Sequence, residues 1–90
     1  MDYQSHLNML PHHMQDGMKD YIEKGYQPGG FLSALLCNNL RQTFERADSI
    51  NRERIFSFIQ FLYSYAPSDC WGSEEKFDKW VERGGLEGLL

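Results

Sequence analysis

Three histidines (His6, His12, His13), two cysteines (Cys37, Cys70) and four of the five arginines (Arg41, Arg46, Arg52, Arg54) are the residues of this 90-residue chain whose types and placing could do chemistry. Imidazoles and thiolates build zinc sites, but ligands on a helix must share a face, commonly at i and i+4. His12 and His13 are adjacent and point about 100° apart on a helix. They read as solvent-facing residues of a helix start, and no metal is assigned. A nucleophilic thiol needs an activating neighbour or motif, and neither cysteine lies in one. The start MDYQSHLNML has no signal-peptide pattern, so both cysteines are expected reduced and partly buried. The pair Glu74-Glu75 falls on a first helical turn, where the helix dipole accounts for it. No catalytic residue and no cofactor are assigned, and the chain reads as not an enzyme.

The stretch Gly25-Tyr26-Gln27-Pro28-Gly29-Gly30-Phe31-Leu32 has the glycines of a phosphate cradle. Such cradles add a lysine and a hydroxyl at the following helix start. Here Phe31-Leu32 follow, with Ser33 the only hydroxyl, so the stretch is expected to be a junction between two helices.

Charge narrows the partners. The chain carries −4 overall, which opposes general attraction to nucleic acid or an anionic membrane. Only residues 41–54 are basic, with four arginines against Glu45, Asp48 and Glu53. Arg41, Arg46, Arg52 and Arg54 are therefore the candidate nucleic-acid contacts, and the interleaved acids predict local ion pairs that use up much of their charge.

Aromatic residues make up 14% of the chain, an excess for a core this small. A surplus aromatic patch at the surface marks a protein interface, either a homodimer or a groove for another chain; a filled core rimmed by tyrosine hydroxyls is the alternative. Tyr63, Trp71, Arg46 and Arg52 are the anchors expected of a partner-binding surface, since aromatic and arginine side chains dominate such surfaces.

The elements that must position these residues are helical. Residues 1–10 lack a period and are expected to be a flexible arm, with 11–90 forming a single domain. Met14, Met18, Tyr21 and Ile22 define a helix over 11–24 that Gly25 stops. A short apolar helix follows over 31–37; Asn38-Asn39 ends it and caps a third, whose stripe is Leu40, Phe44 and Ala47, although a kinked continuation of the second fits almost as well. Asp48 or Ser49 caps the longest helix, 49–65, with Ile55, Ile59, Leu62 and Ala66 as one stripe and Phe58, Phe61 and Tyr65 as another, leaving little of it wetted. Pro67 terminates it. Ser73 caps a last helix over 74–83 that turns Phe77, Trp80 and Val81 inward and ends at Gly84-Gly85, with Leu86 folding back. The fold expected is all-α, a compact domain of four to five short helices, and no apolar run is long enough to span a bilayer.

Pro28-Gly29-Gly30-Phe31-Leu32, Asn39-Leu40, Arg46-Ala47-Asp48 with Asn51, and Pro67 through Cys70-Trp71-Gly72-Ser73 and Trp80 resemble a family of short helical proteins encoded by bacteriophages and prophages. The likeness covers roughly residues 11–86. Asn38-Asn39-Leu40 departs from the Asn-Asp-Leu of that pattern, so no role needing a carboxylate carries over. The resemblance implies an accessory viral protein in a bacterial cytoplasm, and it supplies no substrate or catalytic residue. The function expected is a non-enzymatic protein that binds a bacterial host protein or defence complex. The alternative is a small nucleic-acid-binding regulator using the four arginines.

Overall fold

The computed structural model describes residues 3–89. A 3-10 helix, Gln4–Met9, leads into α1 His12–Lys24, α2 Gly30–Leu36, α3 Leu40–Arg46, α4 Ser49–Glu53 and α5 Ile55–Tyr65. A 3-10 turn, Ser68–Cys70, then precedes α6 Glu74–Arg83 and a last 3-10 helix, Leu86–Leu89. No strand occurs among the described residues, and the domain is all-α.

Local chemistry sets most boundaries. α1 ends on Gly25 in the left-handed conformation (φ 69°), a position that costs glycine nothing. Asn38 takes the same conformation (φ 62°) and separates α2 from α3. A kinked continuation is thereby replaced by two helices. Three side chains cap the starts they were expected to cap: Asn39 accepts the Gln42 N–H, Asp48 that of Asn51, and Ser73 that of Lys76. α6 ends on two left-handed glycines, Gly84 and Gly85, and the Gly85 N–H reaches back to the Trp80 carbonyl.

The core gathers Met18, Tyr21 and Ile22 of α1, Leu32, Leu35 and Leu36 of α2, Phe58, Phe61 and Leu62 of α5, and Phe77 and Trp80 of α6. Each such side chain contributes about 1.5–3 kcal/mol on burial. Two polar groups enter with partners: the Tyr21 hydroxyl donates to the Cys70 carbonyl (2.6 Å), and the Trp80 indole N–H donates to the Tyr21 carbonyl (2.9 Å). The Tyr21 ring stacks on Phe77 with centroids 5.4 Å apart, so one residue joins α1 to α6 and to the turn between α5 and α6.

Three expectations are corrected. The arm expected over 1–10 is, over residues 3–10, a structured strap in which Tyr3, Leu7 and Leu10 are buried; residues 1 and 2 lie outside the described residues. Tyr3, Leu7 and Leu10 stand at i, i+4 and i+7, a buried stripe that was legible in the sequence. The Tyr3 hydroxyl and the Gln4 amide both donate to the Glu23 carboxylate, tying the strap to α1.

The second correction concerns α3, which turns Thr43 and Ala47 inward and leaves Leu40 and Phe44 exposed. α3 lies directly against α2, and close approach of two helices favours small side chains at the contact. Thr43 is satisfied there because its hydroxyl donates to the Asn39 carbonyl (2.6 Å).

The third is that helix 49–65 is two helices. Arg54 (φ −110°, ψ 10°) breaks the ladder, and its guanidinium donates to the Met9 carbonyl (2.8 Å), anchoring the bend to the strap. α5 is wetted along a whole face, where Phe56, Ile59, Gln60 and Tyr63 stand exposed.

Candidate functional site

The exposed face of α5 and the adjoining edge of α3 hold most of the large apolar side chains that the fold leaves in water. Leu40 is 75% exposed, Phe56 76% and Tyr63 82%. Between α3 and α5 runs a groove of about 390 Å³ whose walls are Leu40 and Thr43 on one side and Ile55 and Ile59 on the other, with Trp71 at its end. Trp71 and Gly72 also line an adjoining hollow of about 300 Å³, flanked by Tyr63, Ala66 and Lys76. The two are continuous through Trp71.

Trp71 is placed by the chain on both sides of it. Pro67 opens a single 3-10 turn, after which Trp71 is extended (φ −152°, ψ 168°). Gly72 follows with φ 116°, a conformation rare for any other residue, and its N–H donates to the Leu36 carbonyl at the end of α2 (2.9 Å). The indole is therefore half-buried, held by the turn and open to the groove. Such an arrangement offers a fixed apolar concavity with an aromatic wall, and Lys76 is the one residue lining it that is charged at neutral pH.

The four residues expected at a partner surface are only partly brought together. Tyr63 and Trp71 share the hollow. Arg52 lies over the Phe44 ring, its guanidinium carbon 4.5 Å from the centroid, and its Nε–H donates to the Phe44 carbonyl (3.2 Å). It caps the aromatic edge of α3 by a cation–π contact. Arg46 stands apart: it crosses Gly30 and lines a separate polar cavity of about 320 Å³ with Gln27, Ser33, Gln42 and Glu74.

The arginines proposed for nucleic acid are largely engaged within the protein. Arg41 bridges Glu45 one turn on (3.0 Å), Arg52 holds the Phe44 carbonyl and Arg54 the Met9 carbonyl. The interleaved acids predict the first of these; the two carbonyl contacts depend on the bend at Arg54 and on the strap. The histidines are dispersed as well. His6 stacks flat on Tyr65 at 3.5 Å, and His13 meets Asp48 at 3.0 Å. Among the described residues no three His, Cys, Asp or Glu side chains are placed to hold a metal ion.

Both thiols are free. Burial pushes the Cys70 thiol up from its ordinary 9.0 to about 12, and burial, with Glu74 and Asp78 nearby, raises Cys37. Each is held as the protonated thiol, the less reactive form. Burial also raises the Tyr3 phenol to about 12, helped by its hydrogen bond to Glu23, and raises Tyr21 further.

Leu40, Phe56 and Ile59 are the surface residues that sequence reasoning did not single out. For Phe56 and Ile59 the signal was present in two forms: α5 has apolar residues on more than one face, and it carries no charge from Ile55 to Tyr65. No protein-family model, curated protein or solved structure matches the chain.

Proposed function

We propose that this chain is a non-enzymatic, phage-encoded accessory protein that acts in a bacterial cytoplasm by binding a protein of the host or of a defence complex. The observation that carries the reading is the uncharged groove between α3 and α5, walled by Leu40 and Ile59 and ended by Trp71. A monomeric protein has no structural need for exposed Leu, Phe and Tyr side chains gathered on one edge, and such patches mark binding surfaces. The phage origin rests on the sequence resemblance. Of the four anchors expected, Tyr63 and Trp71 belong to this surface, Arg52 to its edge, and Arg46 to the opposite side of α3.

Affinity capture from bacterial lysate tests the reading. A partner is expected with the wild type and with Arg46→Glu, and is expected to be lost with Leu40→Asp, whose side chain is already in water and whose fold is therefore kept. Recovery of nothing above background by the wild type, or equal recovery by Leu40→Asp, would end it.

A further inference from the structure

Arg46 is held in place by the fold without being given a partner. Arg41 bridges Glu45, Arg52 and Arg54 donate to the Phe44 and Met9 carbonyls, and Arg83 lies over the Trp80 ring. Among the described residues no hydrogen bond or ion pair reaches the Arg46 guanidinium. Its place is set all the same, because the side chain runs across the bare backbone of Gly30: a Cβ there would lie 2.7 Å from Nη1 and 3.3 Å from Cδ. A planar fork of N–H donors, the geometry that matches a carboxylate, is thus presented at one position.

The cavity of about 320 Å³ that Arg46 lines has Gln27, Ser33, Asn39 and Gln42 around it, and Glu74 is the other lining residue charged at neutral pH. Glu74 opens α6, and its carboxylate too has no partner among the described residues. The two opposite charges line one space and do not pair across it. Elsewhere on the surface such neighbours do close, as Arg41 with Glu45 and Glu75 with Lys79. The amides leave capacity as well: Asn39 uses only its oxygen, to accept the Gln42 N–H, and the Gln27 and Gln42 side chains have no protein partner among the described residues. The Ser33 hydroxyl donates to the Pro28 carbonyl (3.0 Å) and fixes the loop that forms one wall.

This set selects a ligand class. A carboxylate suits Arg46, an ammonium suits Glu74, and the amides suit polar surface between them. Glu74 opposes phosphate or any other multiply charged anion, and Arg46 opposes a plain cation. The volume lies at the low end of small-molecule sites, about 300–1,000 Å³, so the ligand is of metabolite size.

We propose that this cavity binds a small zwitterion of the amino-acid type, its carboxylate on Arg46 and its ammonium on Glu74. The stretch Gln27-Pro28-Gly29-Gly30 then has a task beyond joining two helices, since Gln27 and Pro28 wall the site and the bare Gly30 seats the arginine. The site lies across α3 from the groove and does not depend on the protein-binding reading.

NMR titration of the nitrogen-labelled full chain with L-serine, L-glutamine and 4-aminobutyrate, each to about 50 mM, tests the inference through the side-chain amide signals of Gln27 and Gln42. Acetate, methylammonium and inorganic phosphate are the controls. At least one zwitterion is expected to saturate with a dissociation constant of about 0.1–5 mM, and each control to bind at least about tenfold more weakly. Arg46→Gln and Glu74→Gln remove exposed, unpaired charges, so both are expected to keep the wild-type urea midpoint and to weaken binding at least about fivefold. Saturation by none of the three zwitterions, acetate or phosphate binding as tightly as they do, or binding unchanged in either variant overturns the inference.

Discussion

Gly25 and Gly85 meet backbone to backbone where α1 and α6 both stop. A Cβ on Gly25 would lie 2.8 Å from the Gly85 nitrogen, and one on Gly85 would lie 2.6 Å from the Gly25 nitrogen. Both residues have φ +69°, so conformation and contact forbid a side chain together. The glycine-rich stretch that opens at Gly25 is thus a junction that brings two helix ends into contact.

Gly25→Ala is expected to destabilise the fold by at least about 2 kcal/mol, from left-handed strain plus a clash with main chain that cannot swing aside. Gly29 caps α2 with extended backbone and has open space around its Cα. Gly29→Ser is therefore expected to be neutral or slightly stabilising. Urea unfolding of the two variants checks the contrast.

The strap makes a second prediction. Leu10 is 2% exposed and packs into the core from the strap ahead of α1. Leu10→Ala is expected to cost about 2–4 kcal/mol, the range for an aliphatic core truncation, whereas a loosely held arm would register almost nothing in the same unfolding experiment.

Alkaline pH should weaken the fold. The unfolded chain gives up its Cys70 proton near 9.0 and its Tyr3 proton near 10.0, while the folded protein holds both to about 12. The folded state binds more protons in that window, so the stability these groups contribute is fully present below pH 9 and is lost as pH rises through about 12. Thermal melts from pH 8 to pH 11 are expected to show a falling Tm, less steeply in Cys70→Ala after allowance for the cavity that substitution leaves. At pH 8 a thiol reagent is expected to label Cys37 slowly and Cys70 only on unfolding, because Cys37 is half-buried and Cys70 fully buried.

Nucleic-acid binding is expected to be negligible. With Arg41, Arg52 and Arg54 already engaged in the fold and a net charge of −4, the phosphate term has little to act on. A gel-shift or anisotropy assay at low salt checks this. Tight binding that collapses with added salt would favour the arginine reading over the groove.

How legible was this in the sequence? Signals local to a few residues were readable: the caps at Asn39, Asp48 and Ser73, the stops at Gly25 and Gly84-Gly85, and the break at Pro67 all depend on neighbouring backbone. What depended on tertiary packing was not. Leu40 and Phe44 have helical spacing, but spacing alone does not say which side of α3 faces the core, and Thr43 is the α3 residue buried there. The bend at Arg54 is fixed by a carbonyl 45 residues away. Of the candidate site, the excess of aromatic residues was readable, and the fold brings Tyr63 and Trp71 to one hollow. The distance of Arg46 from them was not readable, because it follows from how α3 sits on α2.

The chain has two tryptophans, and they report on different places: Trp71 lines the groove, and Trp80 is 1% exposed in the core. Fluorine NMR of the 5-fluorotryptophan-labelled protein, compared in buffer and in bacterial lysate at equal concentration, therefore tests the binding surface most directly. The account predicts that lysate shifts the Trp71 resonance, that Trp80 keeps its chemical shift, and that Leu40→Asp abolishes the change. A Trp71 resonance that stays at its buffer position in lysate would contradict it.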